Sequence, residues 1–178
     1  NMVLASGAAD GAAADGAGIT IDGANVSFTY DNTNTRMSLD TGFEIEGTTF
    51  INEVVENCTI DNTTTGTLNF DALTQAVVYL DTDQTADRTL NFRGDASTSL
   101  DTAMAIGESM TFAVLATQGA TPYYFNTIQI DGTGVTPKWQ GGTAPTAGNA
   151  SGIDSYSFTI IKTGSATFTV LASQTQFA

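Results

Sequence analysis

The residues of this chain that could do chemistry are almost all carboxylates. Asp81, Asp83 and Asp87 crowd the stretch DTDQTAD, where hard oxygen ligands could hold Ca²⁺. The stretch lacks the twelve-residue EF-hand pattern, its glycine and its closing glutamate, and reads more simply as a solvated acidic turn. Glu44, Glu46, Glu53, Glu56 and Glu108 are the candidates for a two-carboxylate glycoside hydrolase, which needs one acid of raised pKa in a cleft. Glu44 and Glu46 alternate with Phe43 and Ile45, a pattern that turns both carboxylates toward solvent on a strand. The chain has no His and one Cys. A Ser-His-Asp triad, a Cys-His pair and a His/Cys zinc cluster are therefore excluded. Cys58 has no intrachain disulfide partner and no neighbouring cation to favour a thiolate. It is expected as a small buried hydrophobe, with an interchain disulfide in an oligomer as the alternative. No GxxxxGK[ST] or GxGxxG follows a strand; Gly141-Gly142 and Lys162-Thr163 make no phosphate loop. The chain is expected to be non-enzymatic, with no catalytic, cofactor-binding or metal-binding residue assigned and no cofactor.

Binding is the other chemistry to weigh. Trp139, beside Lys138 and with Tyr123 and Tyr124 upstream, could stack on a sugar ring. Trp139 could equally fold back over an open end of the domain or sit at a subunit interface. Arg36, Arg88 and Arg93 are each expected to pair with a carboxylate. Five Lys+Arg against 19 Asp+Glu give a net charge of −14. A surface so acidic excludes nucleic-acid backbone binding and disfavours an anionic membrane. No apolar run reaches the length of a membrane-spanning helix. The matches to the glycosylation pattern at Asn25, Asn57, Asn62 and Asn149 are what a Thr-rich chain produces by chance.

The elements that must position these residues are strands. Apolar residues make up 41% of the chain, enough for a core, while charged residues make up only 13%. The abundant Thr suits the solvent face of a sheet. Residues 1–18 are a Gly/Ala-rich run expected as a flexible arm or linker. No basic segment precedes an apolar run there, so a signal peptide is not expected. Residues 19–64 carry short strand signals at 19–30, 43–51 and 53–60, with Asp-Asn-Thr turns at 31–35 and 61–65. That segment looks too thin to bury itself, and packing against its own copies would solve the problem. Residues 65–178 are richer. TLNF occurs at 67–70 and again at 89–92; TFAVLATQ at 111–118 is echoed by TFTVLASQ at 167–174. Residues 97–107 allow one short helix, capped by Ser99 or Asp101, with Leu100, Ala103, Met104 and Ile106 as its stripe. Residues 132–152 form a long loop with an extended piece only at 135–139. Residues 153–162 and 165–173 form an antiparallel hairpin, with Gly164 expected at the strained turn position. The expected fold is all-β: an antiparallel β-sandwich, jelly-roll-like, over 65–178, with an extended N-terminal arm. Its expected core is Phe70, Val78, Leu90, Phe112, Val114, Ile128, Ile130, Tyr156, Phe158, Ile160, Phe168 and Val170.

The run from Thr121 to Ala178, with PKWQGG and YSFTIIKTGSATFTVLASQ inside it, resembles the C-terminal region of virion structural proteins of marine and cyanobacterial tailed phages. Residues 65–119 continue the likeness, so that it spans about two-thirds of the chain. The resemblance implies a structural role on a phage particle, as a capsid decoration, neck or tail-fibre protein. It implies no catalytic residue. Residues 1–60 lie outside it and are the expected docking segment. A homotrimer is expected, with other virion proteins as partners. A receptor-binding module for host surface glycans is the alternative.

Overall fold

The computed structural model describes residues 3–45 and 47–178. The chain divides into two compact units, Asn1–Glu53 and Val54–Ala178.

In the first unit, β1 (Gly18–Ile21), β2 (Val26–Asp31) and β3 (Arg36–Leu39) form an antiparallel sheet in that order. Asn25, at φ 51°, turns the chain from β1 into β2. Asp31 receives the backbone N–H and side-chain amide of Asn34 and so ties the 32–35 turn. Asp40 accepts from the Ser27 N–H at 2.9 Å and its hydroxyl at 2.6 Å, which holds its carboxyl below the usual range. The expected arm is not extended. Residues 4–16 fold into successive turns tethered to β2 by Gly16 N–H on Tyr30 O and to Asn32 by its N–H on Asp15. The expected strand at 43–51 does not form over the described residues, and of the one expected at 53–60 only residues 58–60 are extended. An isolated strand leaves its amides unpaired, and alternation alone does not supply a partner. Glu46 lies outside the described residues.

The second unit contains β4 (Cys58–Asp61), β5 (Thr67–Asp71), β6 (Val77–Gln84), β7 (Arg88–Arg93), α1 (Leu100–Ala103), β8 (Ser109–Gln118), β9 (Phe125–Ile130), β10 (Thr133–Val135), β11 (Lys138–Trp139), β12 (Ile153–Gly164) and β13 (Thr167–Phe177). One sheet runs β10-β9-β7-β5, the other β11-β13-β12-β8-β6-β4. The fold is all-β with negligible helix. The sheets are mixed, which corrects the expectation of antiparallel pairing throughout. From β4 to β9 the chain alternates between the two sheets, so β4, β6 and β8 stack parallel in one and β5, β7 and β9 stack parallel in the other.

That alternation explains the repeated TLNF. The two copies lie side by side in register, Leu68 against Leu90, Asn69 against Asn91 and Phe70 against Phe92. Identical residues in a parallel ladder put like side chains on the same face. Leu and Phe point into the core, and the asparagines form their own ladder: Gly132 N–H donates to Asn91 Oδ1, and Asn91 Nδ2 donates to Asn69 Oδ1 at 2.9 Å. The second repeat has a different origin. TFAVLATQ and TFTVLASQ fall in β8 and β13, the two antiparallel neighbours of β12.

The expected hairpin is β12–β13. Its strained position is Ala166, at φ 44°, while Gly164 sits at a bulge with an ordinary φ. The Ala166 N–H is held by Asp101 at 2.7 Å. Helix α1 is a single turn, N-capped by Ser99, whose hydroxyl accepts from Thr102 N–H. Leu100 and Met104 are buried, whereas Ile106, expected on the same stripe, is exposed.

The core draws its residues from both the four- and the six-stranded sheet. Phe70, Phe92, Phe112 and Phe158 form its centre, with Phe70–Phe112 and Phe92–Phe158 centroids 4.8 and 5.0 Å apart. Every expected core residue is buried except Phe168, which packs partly exposed against the cluster. On β9 the alternation breaks. A bulge between Phe125 and Thr127 lets both Phe125 and Ile128 face inward, as an extra residue in one strand must.

Candidate functional site

The alternation that buries the core does not stop at its apolar residues. On β12 the buried face runs Asp154, Tyr156, Phe158, Ile160, Lys162. On β8 it runs Phe112, Val114, Ala116, Gln118. Each strand therefore carries a polar side chain into the interior at its end. Lys162 reaches α1, donating to Asp101 O and Met104 O, and pairs with the Asp101 carboxylate at 2.8 Å. Lys162 first, then the Ala166 N–H, hold the Asp101 carboxyl below its usual range.

At the opposite end Asp154 is fully buried. One carboxylate oxygen accepts from Asn149 N–H at 3.1 Å. The other oxygen, like Gln118 Nε2, has no hydrogen-bond partner among the described residues. Burial pushes the Asp154 carboxyl up, against the hydrogen bonds that pull it down. Burial also pushes the Tyr156 phenol up, with Asp154 adding to it. Tyr156 accepts from Gln174 Nε2 at 3.0 Å. Gln118, Tyr156, Arg88 and Tyr123 line a cavity of about 10 Å³, the size of one water.

Arg88 does not pair with a carboxylate among the described residues, contrary to expectation. It is buried and donates to Thr63 O, Gly66 O, Gln84 Oε1 and Thr63 Oγ1 at 2.9–3.2 Å. It therefore clamps the turn between β4 and β5. Arg93 and Arg36 do pair, with Asp71 at 2.6 Å and Asp31 at 3.6 Å.

Of the expected glycan residues, Trp139 shares one hollow with Tyr124 and another with Lys138, and Tyr123 lies apart. Trp139 sits half-buried at the end of the short β11, edge-on to Phe158 at 6.0 Å. Its remaining surface faces a cleft of about 430 Å³ lined by Tyr124, Asn126, Val135, Pro137 and Pro145. Tyr123 turns instead to the small cavity beside Gln118. Lys138 lines a second hollow together with Trp139, Ser157 and Thr159.

The carboxylate candidates are dispersed. Asp81 and Asp83 are exposed positions within β6 rather than a turn, and Asp87 accepts from Tyr124 N–H. Among the described residues no three His, Cys, Asp or Glu side chains are placed to hold a metal ion. Glu44, Glu53 and Glu56 are exposed outside any strand, and Glu108 accepts from Ala105 N–H. Cys58 is exposed, not buried, because β4 is the last strand of its sheet.

Exposed apolar side chains recur along the sequence from residue 43 to residue 60, in both units. Phe43, Ile45, Phe50, Ile51, Val54, Val55 and Ile60 are all exposed, Phe50 to 92%. The buried polar ends of β8 and β12 could have been found by extending the alternation forward from Phe112 and Val114 to Gln118 and back from Tyr156 to Asp154. The chain matches no family model, no curated protein and no solved structure.

Proposed function

We propose that this chain is a non-enzymatic structural component of a tailed-phage virion, a decoration, neck or fibre protein. It acts as a homotrimer on the particle surface and docks to other virion proteins through its N-terminal part. The observation that carries this reading is the run of exposed apolar side chains between Phe43 and Ile60, adjoining in sequence a unit that already has a full core. Large apolar side chains left this exposed are what an interface would cover. The resemblance of residues 65–178 to phage virion proteins supplies the setting.

The second unit is proposed as a β-sandwich of its four- and six-stranded sheets, supported by the aromatic contacts of Phe112 with Phe70 and Phe92. Jelly-roll connectivity fits less well, since the strands from β4 to β9 stack parallel. Cryo-electron microscopy of the intact particle tests the role. Residues 1–60 are expected against a virion partner, with the second unit facing water. A free N-terminal part with the second unit clamped to shell or tail would reverse the polarity.

A glycan-binding receptor module is the second reading, favoured by Tyr124 and Trp139 lining one cleft. Loss of host-cell binding in Trp139→Ala, with assembly intact, would put it in first place. Release of reducing sugar from host polysaccharide would overturn the non-enzymatic assignment.

A further inference from the structure

The cleft in front of Trp139 exists because the chain changes sheets there. Strand β10 pairs with β9 only from Ile128 onward. Thr136-Pro137 then carries the chain out of the four-stranded sheet into β11, which pairs with β13 of the other. The step leaves Phe125–Thr127 without a strand on their outer side, and Pro137 has no N–H to close the gap. Along that open stretch β9 bulges: Phe125 pairs with Arg88 and Thr127 with Thr89, so Asn126 is the extra residue. A bulge re-aims a side chain, and Asn126 lines the cleft. The Thr127 hydroxyl donates to Asn126 Oδ1 at 3.1 Å. That bond orients the amide and leaves its N–H₂ without an acceptor among the described residues.

The lining is aromatic and polar but not ionic. The cleft of about 430 Å³ has the size of a small-ligand site. Tyr124 and Trp139 supply aromatic surface, while Asn126, Thr127 and Thr136 supply hydrogen-bonding groups. Among the described residues no charged side chain lines it, on a chain with 19 Asp+Glu and 5 Lys+Arg. A smaller hollow of about 280 Å³ shares Trp139 and Pro145 with the first, adds Gln140 and Gln174, and is likewise free of charged lining. Lys138 belongs to the third hollow around Trp139, beside Ser157 and Thr159.

We infer that these two uncharged hollows bind a neutral oligosaccharide, with one pyranose unit against Tyr124 and Trp139 and the next beside Gln140. The inference rests on the glycan-binding reading above and names the class of glycan and the groups that hold it. A pyranose offers an apolar C–H face to aromatic surface and a rim of hydroxyls to the Asn126 amide and the threonines. A uronate or sulfated sugar finds no cation in either hollow, and the net charge of −14 repels it. A peptide added as a strand fits less well, because the open edge of β9 is only Phe125–Thr127 and such binding draws its affinity from main-chain hydrogen bonds.

Trp139 is the only tryptophan of the chain, so its fluorescence reports on this site alone. The test titrates the full chain with dextran, mannan and xyloglucan as neutral probes, alginate and heparin as anionic probes, and polyproline as a peptide probe. A saturable change in Trp139 emission is expected with a neutral polysaccharide, unmoved by a roughly tenfold rise in salt. Asn126→Ala, at an exposed position, should keep the circular dichroism spectrum and weaken that binding by about fivefold, the loss of one hydrogen bond. Unchanged affinity in Asn126→Ala would overturn the placement. A stronger response to alginate or heparin would overturn the neutral class, and a response to polyproline alone would assign the cleft to a peptide. Co-sedimentation with a neutral polysaccharide without a change in Trp139 emission overturns this site and leaves the glycan reading. No binding to any polysaccharide by either readout removes both.

Discussion

The two units are written in the same Thr-, Asp- and Gly-rich style, and each contains alternating strands. Between residues 54 and 178 twenty apolar side chains are buried. Between 3 and 53 no described residue is buried. The strand β2, with Val26, Phe28 and Tyr30 on one parity, is patterned as cleanly as β5. Its Phe28 is nonetheless 44% exposed, while Phe70 is fully enclosed. The difference is a second layer. A three-stranded sheet without a second sheet in its own unit has no interior among the described residues. The alternation of β4–β9 between two sheets brings Phe70 and Phe92 of one against Phe112 and Phe158 of the other. Periodicity therefore marks the face a strand could bury, and topology decides whether anything covers it.

The largest expected contrast is between Phe92 and Phe28. Phe92→Ala removes a ring in contact with Phe70, Phe112 and Phe158 and should cost about 4 kcal/mol in denaturant unfolding. Phe28→Ala should cost about 1 kcal/mol or less. Comparable losses would mean that the first unit has a core of its own.

Next comes Arg88→Met. It keeps the apolar stem and leaves the acceptors at Thr63, Gly66 and Gln84 without their donor, for a loss of about 3 kcal/mol. The same measurement on Arg36→Met, whose pair is solvent-exposed, should show about 0.5 kcal/mol or less.

A smaller effect is pH-dependent and has opposite sign at the two ends of β12. Asp101 has a lowered pKa, so its contribution is present above the ordinary Asp value and is lost as pH falls through the lowered one. Asp154 has a raised pKa. Its folded form favours the proton, so its cost is absent below the ordinary value, grows as pH rises toward the raised value, and stays in full above it. Asp154→Asn keeps an acceptor for Asn149 N–H and removes the charge. Its melting temperature should match the parent at about pH 3 and exceed it at about pH 7. A constant difference across that range would contradict the assignment. The smallest effect is at the hairpin: Ala166→Gly relieves a positive φ and should stabilise by about 0.5 kcal/mol in thermal unfolding.

Much of the second unit was legible in the sequence. Strand alternation located its core, because Tyr156, Phe158 and Ile160 can share a face only if that face is inside. The β12–β13 hairpin was legible from its turn. Parallel stacking was not, since it is a long-range choice and its one local trace, the repeated TLNF, is also compatible with chance. Sheet edges are a property of order in the sheet, so the exposure of Cys58 on β4 had no local signal. The bulge at Phe125 hid a core residue by reversing parity. Of the candidate binding residues, Trp139 and Tyr124 share a cleft because β11 adds to β13 beside Phe158, a pairing of two residues that no window of sequence announces. Arg88 was misassigned for a related reason: three of its four acceptors, two backbone carbonyls and a hydroxyl, lie in a distant turn at Thr63 and Gly66.

The central claim is that the second unit is complete in one chain and the N-terminal part is completed by copies. Light scattering of the full chain at micromolar concentration, with circular dichroism recorded on the same sample, tests it most directly. The account predicts a β-type spectrum and a mass three times the 18.5 kDa of one chain. A β-type spectrum with the mass of a single chain would contradict it.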